Sequence, residues 1–128
     1  MTAPSMLELS GVRVYLLAES GSVLRGERDA LEVVGETVGV VCEWIAIPVG
    51  RFAAECFALK TRVLGEMAQK FVNYGLRVAV VGDVSAQAAA SDAFRDFVRE
   101  TNRGRQLWFV ASLAELGERF AVRAGERS

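Results

Sequence analysis

The sequence predicts a single α/β domain, a mixed and mostly parallel sheet of roughly four to five strands with about four helices. Three observations predict it. From Asp29 onward, segments of helical periodicity alternate with short apolar runs. Those runs, such as WIAIPV and LWFV, are almost continuously apolar, as in strands buried on both faces. The passage from helix to strand then recurs in similar words, FVNYGLRVAVV and RETNRGRQLWFV, which fits parallel strands joined by right-handed crossovers.

Leu7, Leu9, Val12, Val14 and Leu16 alternate about Ser10-Gly11, the pattern of a hairpin or of one bent strand. Ser20 to Arg28 is a polar connection. Asp29 with Glu32 forms a D-x-x-E start signal, and Ala30, Leu31, Val34, Val38 and Val41 follow at helical spacing. The β-branched residues crowding that segment oppose the helix. Trp44 to Val49 reads as a buried strand. Leu59 to Tyr74 is the clearest helix, with Leu59, Val63, Leu64, Met67, Phe71 and Tyr74 along one side. Gly75 ends it in the left-handed capping position.

Leu76 to Val81 is the next buried strand, closed by Gly82-Asp83. A small-residue loop, VSAQAAAS, leads to a third helix with Ser91 as N-cap and with Phe94, Phe97, Val98 and Thr101 on its buried face. Leu107 to Val110 is a further strand, expected to lie in the sheet centre beside the two before it. Ser112 and Glu115 form a capping box, and Leu113, Leu116 and Phe120 line the last helix. Residues 1–122 then make one domain, and 123–128 a flexible C-terminal tail.

The chain has 128 residues, 52% of them hydrophobic and 24% charged, enough for one core and too apolar for disorder. A net charge of −1 supplies no global field to draw it to nucleic acid or an anionic membrane. The start, MTAPSMLELS, lacks the charged and apolar regions of a signal peptide, and Glu43 and Gly50-Arg51 interrupt the apolar stretches. A cytoplasmic protein is expected. Histidine is absent, which removes the commonest general base and metal ligand. Cys42 and Cys56 form no CxxC pair and read as buried thiols. Neither G-x-G-x-x-G, nor G-x-x-x-x-G-K-[ST], nor a G-x-S-x-G elbow occurs. No catalytic residue, metal site or cofactor is assigned, and an enzyme is the least favoured class.

The residues that carry chemistry are arginines, 13 of the 15 basic residues. Codon bias and the guanidinium's fork-shaped affinity for anions both account for such a share. In a parallel sheet the two helix-to-strand junctions share the N-terminal edge, where Arg77, Arg103 and Arg105 converge, with Lys70 and Arg99 one turn back. Capping explains part of this: glycine at 75 and 104 supplies a positive φ, and Arg103 favours the helix C-terminus. Glu100 and Glu66 are the carboxylates placed to neutralise the cluster. Asp83 and Ser85 mark a second candidate, at the C-terminal edge where ligands of open α/β sheets usually bind. Lys60 and Thr61 stand near the start of the long helix.

The words GEMAQKFVNYGLRVAVVGD and FRDFVRETNRGRQLWFV resemble an uncharacterised bacterial family described as domain of unknown function 4180, from about Asp29 to Phe120. The order strand, turn, helix beginning near Ser or Thr, strand, helix, strand is distantly similar to the sulphate-transporter and anti-sigma-factor-antagonist domain. This second resemblance implies an anti-sigma-factor-antagonist-like fold that binds a regulatory partner protein, with Thr61 as the phosphoacceptor. Leu59-Lys60-Thr61 stands where that family carries Asp-Ser-Ser or Asp-Ser-Thr. The expected function is a non-catalytic regulatory or protein-binding domain. The alternative is a small-molecule or anion-binding domain using Asp83 and Ser85 or the arginine edge.

Overall fold

Each apolar run becomes one strand of a five-stranded sheet whose spatial order, β1-β2-β3-β4-β5, is the order of the chain. The computed structural model describes residues 4–58 and 62–126. β1 (Ser5–Leu9) and β2 (Val12–Leu16) pair antiparallel as a hairpin. Ser10 and Gly11 at its tip take φ of 48° and 83°, the turn geometry that follows the twist of the flanking strands. β3 (Trp44–Pro48), β4 (Arg77–Val81) and β5 (Leu107–Val110) are added in parallel. Leu107–Val110 is therefore an edge strand and not a central one. A chain that keeps stepping the same way leaves its last strand without an outer neighbour.

Crossovers of one hand that always step to the same side lay their helices on one face of the sheet. α1 (Glu27–Glu36), α2 (Val63–Asn73) and α4 (Asp92–Arg103) pack there over Ile45, Ile47, Val78, Val80, Leu107 and Phe109. α5 (Leu113–Glu126) returns across the opposite face, burying Leu116 and Phe120 against Trp44, Ala46, Ala79, Trp108 and Val110. The continuously apolar strands follow from this, because alternate residues serve two different cores.

Several boundaries differ from expectation for local reasons. α1 starts at Glu27 behind Gly26, which offers no side-chain cap, and Asp29 instead reaches back to accept the Arg25 N–H at 2.8 Å. It stops at Glu36, so Val38 and Val41 lie outside the helix at 80% and 72% exposure. Gly39, at φ 83°, turns the chain among the β-branched residues. Leu59 lies outside the described residues, and Tyr74 is exposed beyond the end of α2, off the buried stripe. The presumed loop VSAQAAAS holds a short helix, α3 (Ser85–Ala90), where alanine's helix propensity prevails. Ser91 caps α4 as expected, its Oγ accepting the Phe94 N–H at 3.1 Å. α5 continues to Glu126, so Arg123 to Glu126 of the expected tail are helical. Arg51 is buried, and its guanidinium donates to the carbonyls of Ala18 and Ser22, pinning the connection ahead of α1.

Phe71 and Phe94 are core residues, but Phe97 is only half-buried. Phe94 is fully enclosed and meets Phe57 and Phe109 edge to face, at 5.6 and 5.7 Å between centroids. Phe94→Ala is expected to cost on the order of 3–5 kcal/mol in urea unfolding. Phe97→Ala should cost clearly less, and equal losses would show that Phe97 is as deeply packed as Phe94.

Candidate functional site

The Asn-Arg-Gly-Arg junction closes the edge that the strand order leaves open. The carbonyl of Gln106 accepts from Val78 and that of Val110 from Gly82, so by alternation the backbone of Phe109 faces outward. The Asn102 side chain meets it there. Its Oδ1 accepts the Phe109 N–H at 2.7 Å, and its Nδ2 donates to the Phe109 carbonyl at 3.3 Å. One amide supplies the pair of bonds that a sixth strand would make. The junction is tied on two further sides. The Trp108 indole N–H donates to the Gly104 carbonyl at 2.8 Å. Arg119 donates to the Asn102 carbonyl at 2.6 Å while lying 3.9 Å over the Trp108 ring.

Gly104 does not take the expected positive φ. It sits at φ −86°, ψ −160°, and an added Cβ would meet only the Thr101 carbonyl oxygen, at an ordinary 3.5 Å. Gly75 does adopt the left-handed geometry, at φ 76°. Asn73 differs from Asn102 as well, bonding to Gln69 on its own helix, because β4 is an interior strand with both edges paired. The two junctions share their spelling and not their mechanism.

Arg77 and Arg105 do share the N-terminal edge. Both line a cleft of about 90 Å³ on the α5 side of the sheet, walled by Trp44, Trp108 and Phe120. Two further charged groups line it, Glu43 just before β3 and Arg123 on α5. Arg123 falls in the segment that the sequence predicts as a tail, and so is not among the expected site residues. The stripe of Leu113, Leu116 and Phe120 points to position 123 when continued by one more turn. Arg103 is not drawn into the cleft. It pairs with Glu100, one turn back on α4, at 3.9 Å with both side chains exposed. Lys70 pairs with Glu27 at 3.4 Å instead of joining the cluster. Among the described residues, no carboxylate lies within ion-pairing distance of Arg77, Arg105 or Arg123, so neither Glu100 nor Glu66 neutralises them. Burial lowers the pKa of nearby Arg119, and the like charge of Arg123 adds to that against the pull of Glu115.

The C-terminal edge offers less. Asp83 accepts the Ser85 N–H at 2.8 Å, and hydrogen bonding to Ser85 holds its carboxyl below the ordinary value. The pair thus serves the start of α3. A hollow of about 490 Å³ on this edge is lined by such residues as Leu16, Pro48, Val81 and Leu113, and by neither Asp83 nor Ser85. A sheet in sequential order also has no switch point, the feature that opens a ligand crevice in doubly wound folds. Thr61 and Lys60 lie outside the described residues. Burial raises the pKa of both Cys42 and Cys56, and the Cys56 thiol donates to the Leu24 carbonyl, the behaviour of packed thiols. Among the described residues, no cluster of three or more His, Cys, Asp or Glu is arranged to hold a metal, and no helix is long and apolar enough to cross a membrane.

A family model described as "Domain of unknown function (DUF4180)" matches residues 9–120. No curated protein and no solved structure matches the chain.

Four substitutions separate the two junctions. Asn102→Ala should cost about 1–3 kcal/mol by leaving a partly buried backbone pair unsatisfied, and Asn73→Ala no more than about 0.5 kcal/mol. Gly75→Ala should cost about 1–2 kcal/mol, because the left-handed conformation crowds a Cβ. Gly104→Ala should be near neutral. Urea denaturation reads all four, and a Gly104→Ala loss as large as that of Gly75→Ala would contradict the extended geometry at 104.

Proposed function

This chain belongs to the family described as domain of unknown function DUF4180, and we propose that it is a non-catalytic cytoplasmic domain that binds a partner protein through an anionic group. The binding residues are Arg77, Arg105 and Arg123. One observation carries the reading: three arginines line a single small cleft, and no carboxylate of the described chain pairs with any of them. Like charges gathered beside apolar walls repel one another, and an acid brought from outside relieves that repulsion.

Size favours a partner over a metabolite. Pockets for whole small molecules run to about 300–1,000 Å³, whereas this cleft of about 90 Å³ holds one functional group. The remainder of such a ligand lies outside, along the sheet edge. The distant resemblance to the sulphate-transporter and anti-sigma-factor-antagonist domain supports the same reading, since those domains work by binding partner proteins. Catalysis has little to build on, because the Ser10 hydroxyl is engaged with the Gly117 carbonyl and the Trp108 indole with Gly104. Asp83, Ser85 and Arg103, each engaged locally, are left out of the proposed contact.

The test compares the tagged wild-type protein with an Arg77→Gln, Arg105→Gln double variant, each purified from the cells that make it. Mass spectrometry should find a partner with the wild type that the variant no longer captures. The variant's melting temperature should stay within about 2 °C, as for surface substitutions that break no buried contact. Partner capture that survives the double substitution would overturn the proposal.

A further inference from the structure

The geometry points to a phosphoryl group on a side chain of the partner as the ligand of the arginine cleft, an inference that rests on the binding reading above. The arginines come from three separate elements, Arg77 opening β4, Arg105 preceding β5 and Arg123 on the late turns of α5. The cleft thus draws one arginine from each of three parts of the fold. A carboxylate has two oxygens and is saturated by one or two such forks. A phosphoryl monoester has three terminal oxygens and can take one fork on each.

Charge agrees with shape. Three arginines opposed by Glu43 leave a local charge of +2, the match for a group carrying about −1.5 to −2 at neutral pH. The three arginines outweigh Glu43, so a dianion gains more from the site than a monoanion does. Trp44, Trp108 and Phe120 line the space with apolar rings, while Arg77 and Arg105 stay exposed to an incoming ligand. The hydroxyl of Ser10 and the indole N–H of Trp108 are already donated elsewhere, so recognition falls to the guanidiniums.

This ligand has a pH signature. The charged groups at the cleft are Arg77, Arg105, Arg123 and Glu43, with Arg119 stacked on the Trp108 wall. The chain contains no histidine. Arginine stays charged throughout the range, whereas a phosphoryl monoester takes up a proton near about pH 6. Affinity should fall as the pH drops through that value, because the ligand loses one of its two charges.

Isothermal titration of the full chain distinguishes the alternatives with three probes: inorganic phosphate, acetyl-Ala-phosphoserine-Ala-amide, and the same tripeptide with glutamate in place of phosphoserine. The phosphoserine tripeptide should bind at least about tenfold more tightly than the glutamate one. It should lose about tenfold in Arg105→Gln and in Arg123→Gln, and weaken from pH 7.5 to pH 5.5. Equal binding of the two tripeptides, with no pH dependence, would overturn the phosphoryl assignment and leave the acidic-partner reading standing. Inorganic phosphate binding without the phosphoserine tripeptide would assign the cleft to free phosphate and overturn its source on a partner. If no probe binds, or binding survives all of the arginine substitutions, both readings fall.

Discussion

The last strand of the sheet has no outer neighbour, and the side-chain amide of Asn102 takes that neighbour's place. Two bonds to the backbone of Phe109, at 2.7 and 3.3 Å, fix the end of α4 against β5. Because the strands are added in chain order, no later strand among the described residues pairs with this edge. An open edge is a template for pairing with another chain, and a folded domain must blunt it. Here the device lies in the connection that leads into the strand, so one short junction both ends a helix and protects the sheet.

What lies at the N-terminal edge follows from that fixed junction. Gly104 holds the Trp108 indole, and Trp108 stacks with Trp44 at 4.4 Å and with Phe120 at 5.8 Å between centroids. These rings and Leu116 are the contact through which α5 covers its face of the sheet. Arg119 then bridges from α5 to the Asn102 carbonyl. With α5 held at this angle, Arg123 reaches the cleft where Arg77 and Arg105 already stand. The hollow at the usual edge is lined by neither Asp83 nor Ser85, and the chain gathers its arginines at the other edge.

Much of this was legible in the residues, and the exceptions have physical causes. Alternation about Ser10-Gly11 marked the hairpin, and Ser91, Gly75 and the Ser112–Glu115 box marked helix ends through chemistry local to a few residues. Gly104 misled because a glycine at a helix end usually means a left-handed cap. Here the end is fixed by Asn102 and Trp108, contacts made across the fold. Convergence of Arg77 with Arg105 was readable from parallel topology alone, whereas the place of Arg123 depended on how far α5 runs. Arg103 shows the limit of sequence neighbourhood. It is two residues from Arg105, yet it turns along its own helix to Glu100.

The proposed anion site unites Arg77, Arg105 and Arg123 and leaves out the other arginines of the chain. Of the 13 arginines, Arg95 and Arg103 are paired on α4 and serve as internal controls. Resonances of the arginine Nε–H groups, followed by NMR as inorganic phosphate is added, observe each of them separately. Saturable shifts at Arg77, Arg105 and Arg123 with a common midpoint, and none at Arg95 or Arg103, are the predicted result. Small shifts spread over all the exposed arginines without saturation would contradict it.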